Sequence, residues 1–252
     1  LRFRRPIDGR HFDVVIDTQR ALMRTLCVRR LHHDLFISGT AGFRFSDLAP
    51  SPGTPRPRHL IDYLSGLLDL VAPRPQGGSE PALAIPDDYR AAARTALPDG
   101  PVYIGISPGA GDKAKIWPLD GFIAIAREQA ARGRVPVFFL GPDESGWLAD
   151  IRAAVPTARF PEWEGAEAKG PIYAIALAER LTAAVANDSG TGHMLAAGGT
   201  ALVSLFSKHD PGKYAPRAHR LAIVDSKSFG GVDPALIPVG DVMTALESLL
   251  AG

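Results

Sequence analysis

The 252 residues carry 28 Lys+Arg against 27 Asp+Glu, a formal net charge of +1, and the 46% hydrophobic, 22% charged composition fits a soluble α/β chain rather than a disordered or fibrous one. At about 100–150 residues per domain, two small domains are the expectation, and the balanced charge excludes nucleic-acid binding by a uniformly basic surface. A single cysteine, Cys27, excludes an internal disulfide framework and a thiolate zinc site, and reads as a buried small hydrophobe in a reducing compartment.

In chain order, the N-terminal region holds the one basic cluster, Arg2, Arg4, Arg5, Arg10, Arg20, Arg24, Arg29 and Arg30. Asp13-Val14-Val15-Ile16-Asp17 predicts a buried strand, 19–31 a helix ending near His32-His33, and Leu35-Phe36-Ile37-Ser38 the next strand. Residues 49–58 read as a loop. Leu60, Tyr63, Leu64, Leu67, Leu68 and Val71 then recur at the spacing of one buried helical face. The Pro/Gly-rich stretch 73–86 reads as a linker, which divides the chain into 1–95 and 96–252. No apolar run reaches the ~20 residues of a membrane-spanning helix.

Beyond the linker, apolar runs at 102–107, 135–140, 183–186, 201–206 and 221–224 alternate with helical stretches, including 120–132 and 145–155. That order predicts right-handed crossovers and a parallel, doubly wound sheet, which binds ligands at the carboxyl ends of its strands. The residues after each run therefore carry the search for chemistry.

After the first run comes Ser107-Pro108-Gly109-Ala110-Gly111-Asp112-Lys113-Ala114-Lys115-Ile116-Trp117-Pro118, where small residues let backbone N–H groups approach an anion and a lysine supplies a compact cation. It is neither a Walker A loop nor a G-x-G-x-x-G fingerprint. Spacing alone fits an ordinary turn with solvated lysines. After 135–140 comes Gly141-Pro142-Asp143-Glu144, whose carboxylates fit a ribose hydroxyl pair or, equally, a helix start. After 183–186 comes Asn187-Asp188-Ser189-Gly190-Thr191-Gly192-His193, a strand feeding a helix N-terminus and hence an anion site, with Asp188 at the cap position. It is not the Gly-x-Ser-x-Gly elbow of a serine hydrolase. The seven histidines show no metal-ligand spacing, so no metal is expected.

Taken together, Ser107-Pro108-Gly109-Ala110-Gly111, Lys115-x-Trp117-Pro118, Leu140-Gly141-Pro142-Asp143-Glu144, Asn187-Asp188-Ser189-Gly190-x-x-His193 and Leu205-Phe206-x-x-x-Asp210-Pro211 resemble glycosyltransferase family 9, which includes the ADP-heptose:lipopolysaccharide heptosyltransferases. Phe12 to Gln19 and His59-x-x-x-Tyr63-Leu64 extend the resemblance more weakly.

The resemblance implies a GT-B fold of two Rossmann-like α/β domains, the N-terminal one incomplete, and inverting, metal-independent transfer of a heptose or related sugar from an ADP-sugar to a lipopolysaccharide inner-core or lipid A-type acceptor. No cofactor is implied. The implied place of action is the cytoplasm at the inner face of the membrane, with no nucleic-acid partner. It assigns the donor to Ser107, Gly109, Lys115, Glu144, Asp188, Ser189, Gly190, Thr191 and His193. Arg20 and Arg24, four apart on the predicted helix, and His59 are the acceptor candidates.

Two departures stand out. The segment Ser207-Lys208-His209-Asp210-Pro211 replaces the family's usual Gly-Pro-Thr-Asp-Pro. The family's opening strand and Gly-Asp loop, with its general base, have no counterpart before Asp13, so the chain reads as a fragment lacking a β-α-β unit of about 30 or more residues. Asp17 is the nearby carboxylate, although the resemblance places it away from the base's role. Two alternatives stay open: a non-catalytic truncated relative that binds nucleotide or glycolipid, and a sugar-nucleotide epimerase of the same architecture.

Overall fold

The structure, a computed structural model, describes residues 9–73, 83–165 and 168–251. Arg2, Arg4 and Arg5 of the basic cluster and residues 74–82 of the linker lie outside the described residues. The chain divides into two compact units, Leu1–Pro81 and Ala82–Gly252.

The first unit runs β1 (His11–Asp17), α1 (Leu22–Val28), β2 (His32–Ser38) and α2 (Leu60–Asp69). The strands pair in parallel from His11 opposite His32 to Asp17 opposite Ser38, and Ile37, Tyr63 and Leu67 form the buried centre beneath α2. Three expectations are corrected here. Helix α1 begins only at Leu22, so Arg20 precedes it and shares no helix face with Arg24. His32 and His33 open β2 instead of closing the helix, because pairing with His11 and Phe12 extends the ladder to them. Cys27 is half-buried rather than fully buried. Asp17 is 3% exposed and its carboxylate accepts from Thr25 Oγ1 at 2.6 Å, Ser38 Oγ at 2.9 Å and the Gln19 N–H at 3.0 Å.

The second unit runs α3 (Asp87–Ala96), β3 (Tyr103–Ser107), α4 (Leu119–Ala131), β4 (Val135–Phe138), α5 (Leu148–Ala154), α6 (Pro171–Ala178), β5 (Ala183–Asn187), α7 (Gly190–Ala197), β6 (Ala201–Phe206), α8 (Pro211–Tyr214), β7 (Leu221–Asp225) and α9 (Val239–Ala251). Its five strands are parallel in the order β4-β3-β5-β6-β7. Side chains alternate across each strand, which fills two cores. Ile104 and Ile106 of β3 face Phe122 and Ile125 of α4, Ile151 of α5, and Val242 and Leu246 of α9. Tyr103 joins Ala93 of α3, Tyr173 and Leu177 of α6, and Leu195 of α7 on the other face. Glycine at 198 is required by that second layer, since a Cβ there would strike the Ile175 carbonyl and Ala178, holding α6 and α7 apart. Helix α3 belongs to this core through Ala93, with Leu97 just beyond it, so the structural division precedes α3, earlier than the 95/96 division read from the sequence.

Strand order positions the site. The chain goes outward from β3 to β4, then returns past β3 to β5 and continues to β6 and β7. The reversal falls between β3 and β5, and a crevice opens at the carboxyl ends of strands at such a switch point.

Candidate nucleotide-sugar site

The loops after all five strands meet at that edge. The loop after β3 turns through Pro108 and Gly109 and closes in a 3₁₀ turn at Lys113–Lys115, capped by the Asp112 carboxylate accepting the Ala114 N–H at 3.0 Å. It is fastened by Asn187, fully buried at the end of β5, whose Nδ2 donates to the Pro108 carbonyl at 2.7 Å while its Oδ1 accepts the Trp117 N–H at 3.2 Å. The Trp117 indole N–H is spent on the Ile237 carbonyl at 3.0 Å. A stiff loop results, and it aims one cation across the switch point: Lys115 Nζ lies 2.6 Å from the Asp188 carbonyl and 3.1 Å from its carboxylate. Only 13% of the lysine and 8% of the aspartate side chain is exposed, so this pair is largely withdrawn from solvent and weakly screened.

The loop after β5 enters α7 directly. Its cap is Ser189, whose Oγ accepts the Gly192 N–H at 3.4 Å. This corrects the placement of Asp188 at the cap: its carboxylate turns away from the helix to Lys115 and to His209 Nδ1 at 2.6 Å. Gly190 begins the helix, Thr191 is half-buried and His193 is exposed on its first turn. The start of α7 therefore presents backbone N–H donors and the positive end of a helix dipole beside a lysine. Ser107, opposite Ala186 in the register, has a buried hydroxyl with no hydrogen-bond partner among the described residues.

Glu144, in the 3₁₀ turn after β4, lies against the same β3 loop. A Cβ at Gly109 would collide with its carboxylate, and one at Gly141 would crowd it. Those two glycines let an acidic side chain sit over the backbone at the crevice, the geometry that suits a pair of hydroxyls.

The sequence-predicted donor residues thus gather at one edge, but three participants were not foreseen. Asn187 was quoted only as part of its motif. His209 and Lys208 lie in the segment that departs from the family pattern. Lys208 forms an ion pair with Asp112, which holds the Asp112 carboxyl below the usual carboxylate range, helped by the Ala114 N–H. Lys227, from the loop after β7, donates to the His209 carbonyl at 2.6 Å.

The acceptor candidates lie in the first unit. The Arg20 guanidinium stacks 4.0 Å above the Tyr63 ring, Arg24 donates to Gln19 Oε1 at 3.0 Å, and His59 caps α2 by accepting the Ile61 N–H at 3.3 Å. They do not form one cationic face on α1. A cavity of about 290 Å³ in this unit is lined by Phe43, Pro50, Arg56, Tyr63 and Leu67 among others, and Arg56 stacks on Phe43. Among the described residues, the one cluster with metal-ligand geometry is His11, Asp13 and Asp34, all exposed, at the start of the small sheet.

The chain matches the family model described as glycosyltransferase family 9 (heptosyltransferase) over residues 1–230. No curated protein matches it. Among solved structures it is similar to a family 9 glycosyltransferase from Veillonella parvula, with 21% identity, 95% of this chain and 74% of that one covered, and a TM-score of 0.73. It is also similar to E. coli ADP-heptose lipopolysaccharide heptosyltransferase II, with 20% identity, 95% and 76% coverage and a TM-score of 0.68. For the E. coli heptosyltransferase WaaC with ADP, identity is 16%, coverage 96% and 74%, and the TM-score 0.64. These likenesses carry the fold, a GT-B type α/β architecture with parallel sheets. With the family model spanning most of its length, the chain belongs to glycosyltransferase family 9, the heptosyltransferase family.

Proposed function

We propose that this glycosyltransferase takes a heptose or related sugar from an ADP-sugar bound in its second unit and delivers it, with inversion and without a metal, to a lipopolysaccharide inner-core acceptor. The observation that carries this reading is the convergence of Lys115 and the start of α7 across the β3–β5 switch point, with Glu144 over Gly109 at the adjoining loop. In sugar transfer from a nucleotide the leaving diphosphate gains negative charge, and fixed donors plus a cation meet that charge in a poorly screened site. Lys115 and the N–H groups at Ser189, Gly190 and Thr191 fill that role, so no metal is needed to do so. Ser107 and Gly109 line the phosphate loop, Glu144 takes the ribose hydroxyls, and Asp188 and His193 flank the sugar.

The acceptor falls to the first unit, whose Arg20 and Arg56, stacked on aromatic rings, suit a phosphorylated glycolipid. Transfer also needs a base within hydrogen-bond reach of the attacking hydroxyl. Asp17 does not fill that role, because its side chain is buried and held by Thr25, Ser38 and Gln19. Such an enzyme works in the cytoplasm, at the inner face of the membrane that carries its acceptor.

Calorimetric titration with ADP tests the donor site. The folded protein binds ADP, and Lys115→Met weakens binding roughly tenfold or more, as expected for one lost charge-assisted phosphate contact. Folded protein that takes up no adenine nucleotide would refute the reading.

A further inference from the structure

The ion pair between Lys208 and Asp112 has a position that strand order dictates. Asp112 is in the loop after β3 and Lys208 follows β6, while β5 lies between those strands. Neighbouring strands are about 4.8 Å apart, so the ends of β3 and β6 stand about 10 Å apart on either side of the end of β5. The loop after β5 is the segment Asp188-Ser189-Gly190 that opens α7. The bridge therefore straddles the anion site.

Its chemistry is at odds with that location. A carboxylate at the mouth of an anion site repels a diphosphate, whereas the lysine beside it attracts one. Both side chains are substantially exposed, 39% for Lys208 and 46% for Asp112, and exposed pairs of this kind hold weakly. Lys115 shows a similar arrangement deeper in the crevice, a lysine held by an aspartate, but there the pair is largely buried. The backbone around Lys208 is held in place: His209 is anchored to the Asp188 carboxylate on one side and through its carbonyl to Lys227 on the other. The lysine is thus carried on a long side chain by a pinned loop and is paired with Asp112.

We propose that Lys208 is a second donor-phosphate cation of this chain, and that it exchanges Asp112 for the donor's diphosphate oxygens when nucleotide binds. The inference rests on the donor-site reading above. Asp112 is then a resting counter-ion that lowers donor affinity and keeps Lys208 over the site, and the exchange places two lysines on one diphosphate.

Titrations of the full chain with ADP, in a double-mutant cycle, test this. Lys208→Met weakens ADP binding about tenfold and Lys208→Arg restores most of it, the size expected for one charge-assisted phosphate contact. Asp112→Asn tightens binding severalfold, and this gain falls below twofold when Lys208→Met is also present, because the competition has been removed. If Lys208→Met binds ADP within twofold of wild type while Lys115→Met is weakened, the donor site stands and this inference falls. It falls equally if Asp112→Asn gives the same gain with and without Lys208. Wild-type protein that binds no ADP overturns both readings.

Discussion

Two glutamates of the second unit respond to pH in opposite senses. Burial raises the Glu162 carboxyl above its ordinary range. The folded chain therefore holds that proton more tightly than the unfolded chain, and stability from this group falls as pH rises from the unfolded value through the raised folded one. Glu162→Gln should raise the melting temperature at neutral pH and leave it unchanged below the unfolded carboxylate range; an unchanged melting temperature at neutral pH would contradict the assignment. Glu247 is the reverse case. The Arg134 hydrogen bond at 2.6 Å, supported by Gln129, lowers its carboxyl, so its contribution is present above the unfolded value and lost as pH falls through the lowered one. Glu247→Gln is expected to cost about 0.5–1 kcal/mol at pH 7 in urea denaturation. At this scale the sequence was informative where a motif fixes a residue's neighbours, as for Lys115, Glu144 and the Asn187–His193 segment. It marked Lys208 and His209 only as a departure from the family pattern and gave them no partners, since these are 96 and 21 residues away and are chosen by where loops end above the sheet.

The loop after β3 owes its shape to a side chain of another strand. Asn187 satisfies the Pro108 carbonyl and the Trp117 N–H from 79 and 70 residues away. Asn187→Ala leaves both groups buried without that partner and should cost about 3 kcal/mol. The same change loosens the seat of Lys115, so ADP affinity should drop along with stability; a destabilised variant with wild-type affinity would show that the loop keeps its shape unaided. Among whole elements, the five strands of this unit were legible because β-branched and apolar runs alternate with helical stretches. Helix α6 was not, since Pro171–Ala178 is apolar on nearly every side and has almost no hydrophobic period to detect. Helix α3 went unread, since it falls between the expected linker at 73–86 and the first apolar run at 102. Helix α9 did carry a periodic signal through Val242, Leu246 and Leu249, beyond the last motif that drew attention. In the first unit, α1 was expected too long because propensity extends through 19–31, whereas strand pairing claims His32 and His33.

For the whole molecule, two units with separate cores predict two unfolding transitions in calorimetry. ADP at about 100 times its dissociation constant should stabilise the transition of the second unit by ~2.7 kcal/mol and leave the other in place. Equal displacement of both would contradict a donor site confined to the second unit. The strand order also has a consequence in time. Because β5 lies between β3 and β6, and β3 is already flanked by β4, the crevice joins pieces of chain from Ser107 to Lys227. Such distant pairings form slowly compared with local helices. During refolding, nucleotide capture should therefore lag behind recovery of helical signal, making bound ADP a clock hand for the last step of assembly.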